Sequence, residues 1–312
     1  MHILISFLLL AWMTLATGCP PEESIGPKCY CRTFQLGAMM WCDNILSTDE
    51  LVPLVKVTEE YDMYSLSVNN SVFQYIPSDL FRNTKFKRLR FQYTQIMALT
   101  DTDIAFEGLE DRLEQIQILE GRFVANWDWD VLKNLRRIEN LDISGISLTA
   151  IEMPMPPMSS LIGLGFANTD ISEIVDSAFA SLQNLKIVVL KQNNLKELKR
   201  NILPEPALSL SVLDFSSNQL STLPENMFAG MPELQHLFLS NNLFTTLDEA
   251  TFAWPMENVV KLSLNGNEFR CDCRLQWLSS RKKPVEFYGT CSTPESLKGM
   301  ELSKIQAKFL LC

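Results

Sequence analysis

The sequence is poor in histidine: its 312 residues include two, and only His236 lies beyond the apolar stretch at the N-terminus. Histidine is the side chain that most readily takes up a proton near neutral pH, and it is a common metal ligand. The sequence also lacks a phosphate-binding glycine loop, an HExxH pattern and a dinucleotide-binding fingerprint. We therefore predict a protein with no enzymatic activity, no cofactor and no metal site.

Positive charge is scarce as well. Lysine and arginine total 27 against 37 aspartate and glutamate residues, which gives a formal net charge of -10. A protein that binds nucleic acid through phosphate contacts normally has the opposite sign. We predict no nucleic-acid partner.

Long apolar runs are absent beyond the N-terminus. The first run, ILISFLLLAWM, is too short to span a bilayer and is followed by Ala16 and Gly18 at the small positions of a cleavage site. Residues 1–18 are therefore predicted to be a secretory signal peptide. Cys19 directly after them also resembles a bacterial lipoprotein site, although Ala16 stands where such sites usually have leucine. No later stretch approaches about eighteen apolar residues, so we predict a protein secreted into the extracellular space, without a transmembrane segment.

Cysteine is missing from the whole middle of the chain, and its eight copies form two clusters near the ends. The clusters are Cys19, Cys29, Cys31 and Cys42, and Cys271, Cys273, Cys291 and Cys312. In a secreted chain such clusters indicate disulfide bonds, and the spacing of four cysteines permits three pairings. A zinc site is the alternative, but it needs thiolates that secretion tends to oxidise.

One eleven-residue pattern is abundant: L-x-x-L-x-L-x-x-N-x-L, clearest at 185–195 as LKIVVLKQNNL. Further copies start at Tyr61, Phe86, Leu113, Ile138, Leu161, Leu210, Leu234 and Val259. A pattern that returns every 20 to 29 residues or so is the signature of a leucine-rich repeat, whose units bury their apolar faces against each other. About nine repeats predict an α/β leucine-rich repeat solenoid with a curved parallel β-sheet on its concave face.

The ninth residue of the pattern is asparagine in the last four repeats, where its amide is expected to satisfy backbone groups that the turn leaves unpaired. These residues are Asn193, Asn218, Asn242 and Asn267. The third and fourth repeats have Gly121 and Ile146 at this position, so we expect them to be the least regular.

The ends of a solenoid expose apolar core and an unpaired strand edge, so they need polar caps. The two cysteine clusters fit this need. We predict a cysteine-rich N-terminal cap over residues 19–60, leucine-rich repeats over residues 61–270 and a cysteine-rich C-terminal cap over residues 271–312.

The outward positions of repeats five to eight differ from those of an ordinary solvated strand. They combine apolar side chains with two glycines that leave a shallow hollow, and Asp142 and Asp214 lie at its sides. Such a patch suggests a partner site, although single exposed apolar residues are common. The predicted partner-binding residues on the concave face are Ile162, Gly163, Gly165, Ile187, Val189, Val212, Asp214, His236 and Phe238.

His236 is also the one candidate for a catalytic base, since Ser211, Asp214, Ser216 and Ser240 lie on the adjacent predicted strands. A Ser-His-Asp arrangement needs a serine and an acid that converge on the ring. Nothing in the sequence supplies an oxyanion hole, and an open strand face does not exclude water. The pattern favours binding over catalysis.

Repeat two places Lys87, Arg88 and Arg90 at outward positions, a candidate basic patch for a glycosaminoglycan or an acidic lipid. The expected register sets Lys87 between Asp62 and Glu114, so cross-strand ion pairing is the favoured interpretation.

One N-glycosylation sequon, Asn69-Asn70-Ser71, makes Asn69 a candidate glycosylation site. The pattern puts Asn69 at the ninth position of the first repeat, where it would be buried and unglycosylated. An extra residue in this repeat would instead give that position to Asn70 and leave Asn69 free.

The cysteine-rich start, the divergent repeat YDMYSLSVNNSVFQYIPSDLF and the ending NEFRCDCRLQWL together resemble secreted arthropod leucine-rich repeat proteins of the kind that includes the non-catalytic subunit of oplophorus-luciferin 2-monooxygenase. Glu268 stands where the caps of such proteins usually have proline. The C-x-C in each cysteine cluster resembles the caps of extracellular leucine-rich repeat proteins. That resemblance implies the bonds Cys19–Cys31, Cys29–Cys42, Cys271–Cys291 and Cys273–Cys312.

The resemblance also implies a protein that accompanies or stabilises another secreted protein and performs no reaction itself. We thus expect a secreted, non-enzymatic scaffold or accessory subunit that binds another extracellular protein through the concave face. The alternative is an extracellular matrix component, or a protein that recognises glycans or pathogens.

Overall fold

A computed structural model describes residues 18–121 and 128–312. The predicted signal peptide, apart from Gly18, lies outside the described residues. Within them the chain forms a long, mainly parallel sheet that is continuous from the N-terminal cap to the C-terminal cap.

The strands are short and follow one another with little helix between them. In chain order they are β1 (Cys29–Phe34), β2 (Gly37–Asp43), β3 (Met63–Asn69), β4 (Val72–Tyr75), β5 (Arg88–Gln92), β6 (Gln95–Ala98), β7 (Gln115–Leu119), β8 (Asn140–Ser144), β9 (Ala150–Ile151), β10 (Gly163–Ala167), β11 (Glu173–Ile174), β12 (Ile187–Val189), β13 (Val212–Asp214), β14 (His236–Phe238), β15 (Lys261–Ser263), β16 (Phe269–Arg270), β17 (Glu286–Tyr288) and β18 (Cys291–Thr293). The α-helices are α1 (Glu22–Ile25), α2 (Thr48–Lys56) and α3 (Glu249–Asn258). Short 3-10 helices cover Val57–Glu60, Trp129–Leu132, Arg200–Ile202, Cys273–Ser279, Glu295–Leu297, Leu302–Lys304 and Ala307–Phe309.

The main sheet has the order β1-β2-β3-β5-β7-β8-β10-β12-β13-β14-β15-β17 over the described residues. β1 pairs with β2 in antiparallel fashion, and each later pair is parallel. Nine of these strands, from β3 to β15, come from the nine repeats of the sequence pattern. The predicted leucine-rich repeat solenoid is confirmed.

The core forms because the fourth and sixth residues of every repeat point to the same side of the sheet. Each of these side chains is at most 1% exposed. They are Leu66, Val68, Leu89, Phe91, Ile116, Ile118, Leu141, Ile143, Leu164, Phe166, Val188, Leu190, Leu213, Phe215, Leu237, Leu239, Leu262 and Leu264. The third and fifth residues point the other way, to the face that we call the concave face.

The first repeat starts at Met63, and the predicted start at Tyr61 is wrong by two residues. Ser65 pairs with Arg88, the third residue of repeat two, and Met63 is 1% exposed. A shift of two leaves the same side chains on the core face, because a strand has a period of two. Alternation alone therefore could not distinguish the two registers.

The asparagine ladder is present as predicted. Asn193 shows the pattern: its Nδ2 atom donates to the Phe166 carbonyl oxygen at 2.7 Å and to the Leu190 carbonyl oxygen at 3.0 Å. Its Oδ1 atom accepts from the backbone nitrogens of Thr169 and Ile171, both at 3.1 Å. Asn218, Asn242 and Asn267 make equivalent bonds in the three following repeats, each to the same positions of its own repeat and of the one before it.

Repeats three and four were expected to be the least regular, and for their sheet strands this is wrong. β7 and β8 pair over all five residues, without a register shift. The backbone hydrogen bonds between parallel strands do not involve the ninth side chain, so its loss leaves the strands intact.

A feature that the sequence pattern did not reveal lies at the eighth residue of each repeat. In all nine described repeats this residue has a positive φ, between 47° and 74°. The residues are Asn70, Tyr93, Glu120, Gly145, Asn168, Gln192, Ser217, Asn241 and Gly266. The left-handed residue turns the chain away from the sheet, which directs the ninth side chain inward.

The four disulfide bonds are those implied by the resemblance: Cys19–Cys31, Cys29–Cys42, Cys271–Cys291 and Cys273–Cys312. They enclose chain segments with separations of 12, 13, 20 and 39 residues. Each is expected to stabilise its cap by roughly 3 to 4 kcal/mol in the chain-entropy model. β1 and β2 close one end of the sheet and β17 closes the other.

Candidate binding face

Parallel pairing sets equal positions of neighbouring repeats side by side, so the concave face carries two rows of side chains. The third residues form the row Ser65, Arg88, Gln115, Asn140, Gly163, Ile187, Val212, His236 and Lys261, continued by Glu286. The fifth residues form the row Ser67, Arg90, Gln117, Asp142, Gly165, Val189, Asp214, Phe238 and Ser263, continued by Tyr288. Before the two glycines both rows are polar, and directly after them come the apolar residues Ile187, Val212 and Val189.

A hollow of about 400 Å³ lies on this face, where the polar and apolar parts meet. Gly163 and Gly165 form its floor. A methyl group added at Gly165 would meet Asp142 Oδ1 at 3.2 Å, and one added at Gly163 would clash with Asn140 Oδ1. The side chains of Asn140 and Asp142 therefore lean over the glycines, and a larger residue at either position would displace them.

Apolar side chains line the other side of the hollow. Ile187 is 43% exposed, and Val189 is partly buried beside it. Val212 lies on the next strand, opposite Ile187. Five of the predicted partner-binding residues do not line the hollow: Ile162, Val212, Asp214, His236 and Phe238. Ile162 precedes β10 and is partly buried. The structure thus gathers Gly163, Gly165, Ile187 and Val189 around one depression.

Two carboxylates flank the apolar residues in the fifth-residue row. Asp142, Gly165, Val189 and Asp214 occupy four successive strands, so the two aspartates are about 14 Å apart along the sheet. Asp142 Oδ2 accepts from Gln117 Nε2 at 3.3 Å, and Asp214 Oδ1 accepts from the backbone nitrogen of Ser216 at 3.0 Å. Among the described residues neither carboxylate forms an ion pair. Asp142 lines the hollow together with Lys191, whereas Asp214 lies one strand beyond Val189 and outside the lining.

The C-terminal end of the face is built around Lys261, which sequence reasoning missed. Its Nζ atom lies 5.7 Å from the centre of the Phe238 ring, 5.5 Å from that of Tyr288 and 2.9 Å from Glu286 Oε2. The hydrogen bond between Lys261 and Glu286 raises the pKa of the lysine and lowers the pKa of the glutamate. His236 stacks on Phe238 with 6.5 Å between ring centres. Lys261 was predictable as the third residue of repeat nine, whereas Tyr288 belongs to the cap and follows no repeat pattern.

The possible catalytic partners of His236 bond elsewhere. Ser211 Oγ donates to a carbonyl oxygen at 3.1 Å, and Ser240 Oγ lies 2.8 Å from Ser263 Oγ. Among the described residues, neither these serines nor Asp214 is hydrogen-bonded to the His236 ring. In the same part of the chain no group of three or more histidine, cysteine, aspartate or glutamate residues has a metal-binding arrangement.

Of the three basic residues in repeat two, Lys87 forms the predicted cross-strand ion pair, and within the described part of the chain Arg88 and Arg90 do not. Lys87 Nζ lies 2.9 Å from Glu114 Oε1. The expected contact with Asp62 is wrong, because the corrected register puts Tyr64 beside Lys87 instead. Arg88 and Arg90 form no ion pair among the described residues.

The glycosylation candidate Asn69 is the seventh residue of the first repeat, so its predicted ninth position is wrong. The ninth residue is Ser71, not Asn70, and its hydroxyl accepts from the Ile45 backbone nitrogen at 2.9 Å. Asn69 is partly buried, and its Oδ1 atom accepts from Ser67 Oγ at 3.3 Å. Its glycosylation stays a prediction.

Comparison with known proteins supports the same architecture. The family model of the leucine rich repeat matches residues 208–269. Rat lumican is 28% identical over 232 residues, which are 74% of this chain and 57% of lumican. Human oligodendrocyte-myelin glycoprotein is 28% identical over 190 residues, 52% of this chain and 42% of that protein. This is a leucine-rich repeat protein with a disulfide-bonded cap at each end.

Among solved structures, a chain of the octameric complex of Latrophilin 3, Unc5D and FLRT2 matches with a TM-score of 0.62 and 18% identity. The match covers 96% of this chain and 94% of that one, and it shows a shared fold. The narrower resemblance to the arthropod subunit family is not tested by lumican or oligodendrocyte-myelin glycoprotein and stays a prediction. Across the described residues, none of the helices has the length and apolar character that a bilayer crossing requires.

Proposed function

We propose that the protein is a secreted, non-enzymatic scaffold or accessory subunit that binds another extracellular protein through the concave face of repeats five to eight. One observation carries the proposal: the hollow at Gly163 and Gly165 lies beside Ile187, which is 43% exposed. A partner side chain in the hollow would remove this apolar surface from water, which contributes about 25 cal/mol per Å².

The charges around the hollow define the chemistry of the partner. Asp142 and Asp214 flank Val189 without an ion pair among the described residues, while Lys191 also lines the hollow, and the whole chain has a net charge of -10. A complementary partner presents an apolar side chain to the hollow, with lysine or arginine residues opposite Asp142 and Asp214 and an acidic residue opposite Lys191. Opposite charges of this kind accelerate encounter and fix the orientation of the complex.

The proposal that the protein is extracellular is supported by its N-terminal sequence and by its disulfide-bonded caps. Residues 1–18 have the composition of a signal peptide, and disulfide bonds persist in oxidising compartments. The same setting exposes Asn69 to glycosylation, which mass spectrometry of the secreted protein tests.

The docking site is tested with V189K and F238K, against L208K as a matched control. Leu208 is 59% exposed and precedes β13 outside the sheet, so L208K adds the same charge away from the concave face. Immobilised wild-type protein is first used to capture its partner from the secretions of the producing tissue. Affinity for the purified partner is then measured for each variant.

We expect one stoichiometric soluble protein, bound at least about tenfold more weakly by V189K and F238K, and within about twofold of wild type by L208K. Unchanged binding by both concave-face variants, with wild-type circular dichroism spectra, would exclude this docking site. Retention on matrix or polysaccharide without a stoichiometric protein would instead favour a matrix component.

A further inference from the structure

A group of exposed aromatic rings lies at the N-terminal end of the concave face, on β1 and β2, three strands from the first strand that lines the hollow. Tyr30 on β1 stacks on Trp41 on β2, with 5.1 Å between ring centres and 11° between planes. Phe34 packs edge-on against Trp41 at 6.0 Å. Trp41 pairs with Ser67, which fixes these rings on the concave face. Tyr30 is 53% exposed and Phe34 is 49% exposed, so the rings offer a flat apolar surface to solvent.

Arginine side chains border these rings on the same face. Arg88 and Arg90 lie two strands from β2, and between them and the rings stand only Ser65 and Ser67 in the two rows. The Arg88 guanidinium lies 5.0 Å above the Tyr64 ring. Arg90 donates from Nη2 to Gln92 at 2.8 Å, while its Nε atom is buried without a hydrogen-bond acceptor. On the far side of the rings, Arg32 lies 6.0 Å from the centre of Tyr30.

The carboxylates that lie closest to Arg88 and Arg90 along the paired strands already accept hydrogen bonds from other residues. Glu114 accepts from Lys87, and Asp142 accepts from Gln117. Asp43, on the same strand as Trp41, accepts from Asn44 at 3.0 Å and from Asn70 at 2.7 Å. Among the described residues, neither Arg88 nor Arg90 forms an ion pair, on a chain whose net charge is -10.

We propose that this face, from β1 to β5, binds a sulfated polysaccharide. Guanidinium groups bind sulfate or carboxylate oxygens through two parallel hydrogen bonds, which a lysine ammonium does not provide. Sugar rings have apolar faces that pack on flat aromatic rings, and Tyr30 and Trp41 offer such rings. The four strands span about 14 Å, so an extended chain crosses both the arginines and the aromatic platform.

The site is separate from the protein-binding hollow, whose lining begins with Gln115 on β7. Both can be occupied together, because the two regions share no residue. Sulfated polysaccharide would then hold the protein at a surface or in a matrix while repeats five to eight bind the partner protein.

The test measures binding of a size-defined heparin octasaccharide by calorimetry at several salt concentrations. All proteins carry N69Q, so that no glycan at Asn69 covers the site. The variants are R88S/R90S and Y30S. K87S is the matched control because Lys87 is already paired with Glu114, and V189K is the control for the hollow.

We expect R88S/R90S to lose at least about tenfold in affinity, with the slope of log affinity against log salt reduced by about two, since two anion contacts are removed. Y30S should lose about threefold, and K87S and V189K should stay within about twofold of the parent. Melting temperatures near that of the parent show that the variants are folded.

Three outcomes would overturn the proposal. The first is unchanged heparin affinity in folded R88S/R90S. The second is equally tight binding of an uncharged dextran oligosaccharide, which would remove the role of the arginines. The third is tighter binding of single-stranded RNA or of phosphatidylserine vesicles than of heparin, which would assign the patch to a different ligand class.

Discussion

The five N-terminal repeats and the four C-terminal repeats build the turn after the sheet strand in different ways. In the first five, the strands β3, β5, β7, β8 and β10 have five to seven residues, and short strands beyond the turn pair with each other, β4 with β6 and β9 with β11. In the last four, the strands β12 to β15 have three residues each, and the asparagine ladder holds the turn. In repeats one, two, four and five, the backbone is thus paired on both sides of a turn that lacks the amide, while repeat nine has both the amide and the pairing of β16 with β18.

A pair of equivalent residues shows what the difference means for the backbone. Asn218 Nδ2 donates to the carbonyl oxygens of Leu190 and Phe215 at 2.9 and 3.0 Å, and its Oδ1 atom accepts from the Leu195 nitrogen at 3.1 Å. The Thr94 hydroxyl reaches two carbonyl oxygens, at 3.1 and 3.0 Å, and no backbone nitrogen is bonded to it among the described residues. Side chains therefore join neighbouring repeats more strongly in the C-terminal group.

The largest effect is expected from removing one amide of the ladder. N218A leaves the buried Leu195 backbone nitrogen without its acceptor, whereas the carbonyl oxygens of Leu190 and Phe215 each keep a bond from the neighbouring Asn193 or Asn242. Because an unsatisfied buried group costs about 1 to 3 kcal/mol, we expect a loss of about 2 kcal/mol in the free energy of unfolding. Urea denaturation of the oxidised protein measures it, and a loss below about 1 kcal/mol would show that water replaces the amide.

A smaller effect is expected at the equivalent position of repeat two. T94A removes one hydroxyl next to backbone that is paired on both sides of the turn. We expect a loss of about 1 kcal/mol, the net value of an ordinary hydrogen bond. If T94A and N218A cost the same in the same urea assay, the two groups of repeats do not differ in how their turns are held.

The smallest effect concerns acid sensitivity at the C-terminal end. Hydrogen bonding from Arg274 lowers the pKa of Asp272, which also caps the 3-10 helix Cys273–Ser279. A carboxyl with a lowered folded-state pKa stabilises the fold above its unfolded pKa of about 3.9, and this contribution is lost as the pH falls through the folded value. Since the pair is partly solvated, D272N should cost less than about 1 kcal/mol at pH 7, and this cost should be smaller near pH 2.

Urea midpoints of wild type and D272N at both pH values check this prediction. An equal difference at the two pH values would mean that the charge of Asp272 has no role and that the capping geometry alone matters.

The repeat pattern predicted the sheet well, because two buried residues per strand leave little freedom in register once nine strands must match. The burial of Val188 and Leu190 follows from their places in the pattern, and the glycines at 163 and 165 predicted the hollow for the same reason. The first repeat failed, since Tyr61 and Met63 both fit a period of two. The contact of Lys261 with the ring of Tyr288 depends on a strand of the C-terminal cap. This strand does not follow the repeat pattern, so the spacing of the repeats could not predict the contact.

The left-handed eighth residues have a further consequence for how the chain tolerates substitution. A methyl group added at Gly145 would lie 2.6 Å from the Glu120 carboxylate, the eighth residue of the preceding repeat. A side chain at position 145 therefore requires the Glu120 carboxylate to move aside or the residue at position 120 to be shortened. In a library of double variants these two sites should show epistasis, so the mutations accepted in repeat four depend on the residue that repeat three has at the same turn.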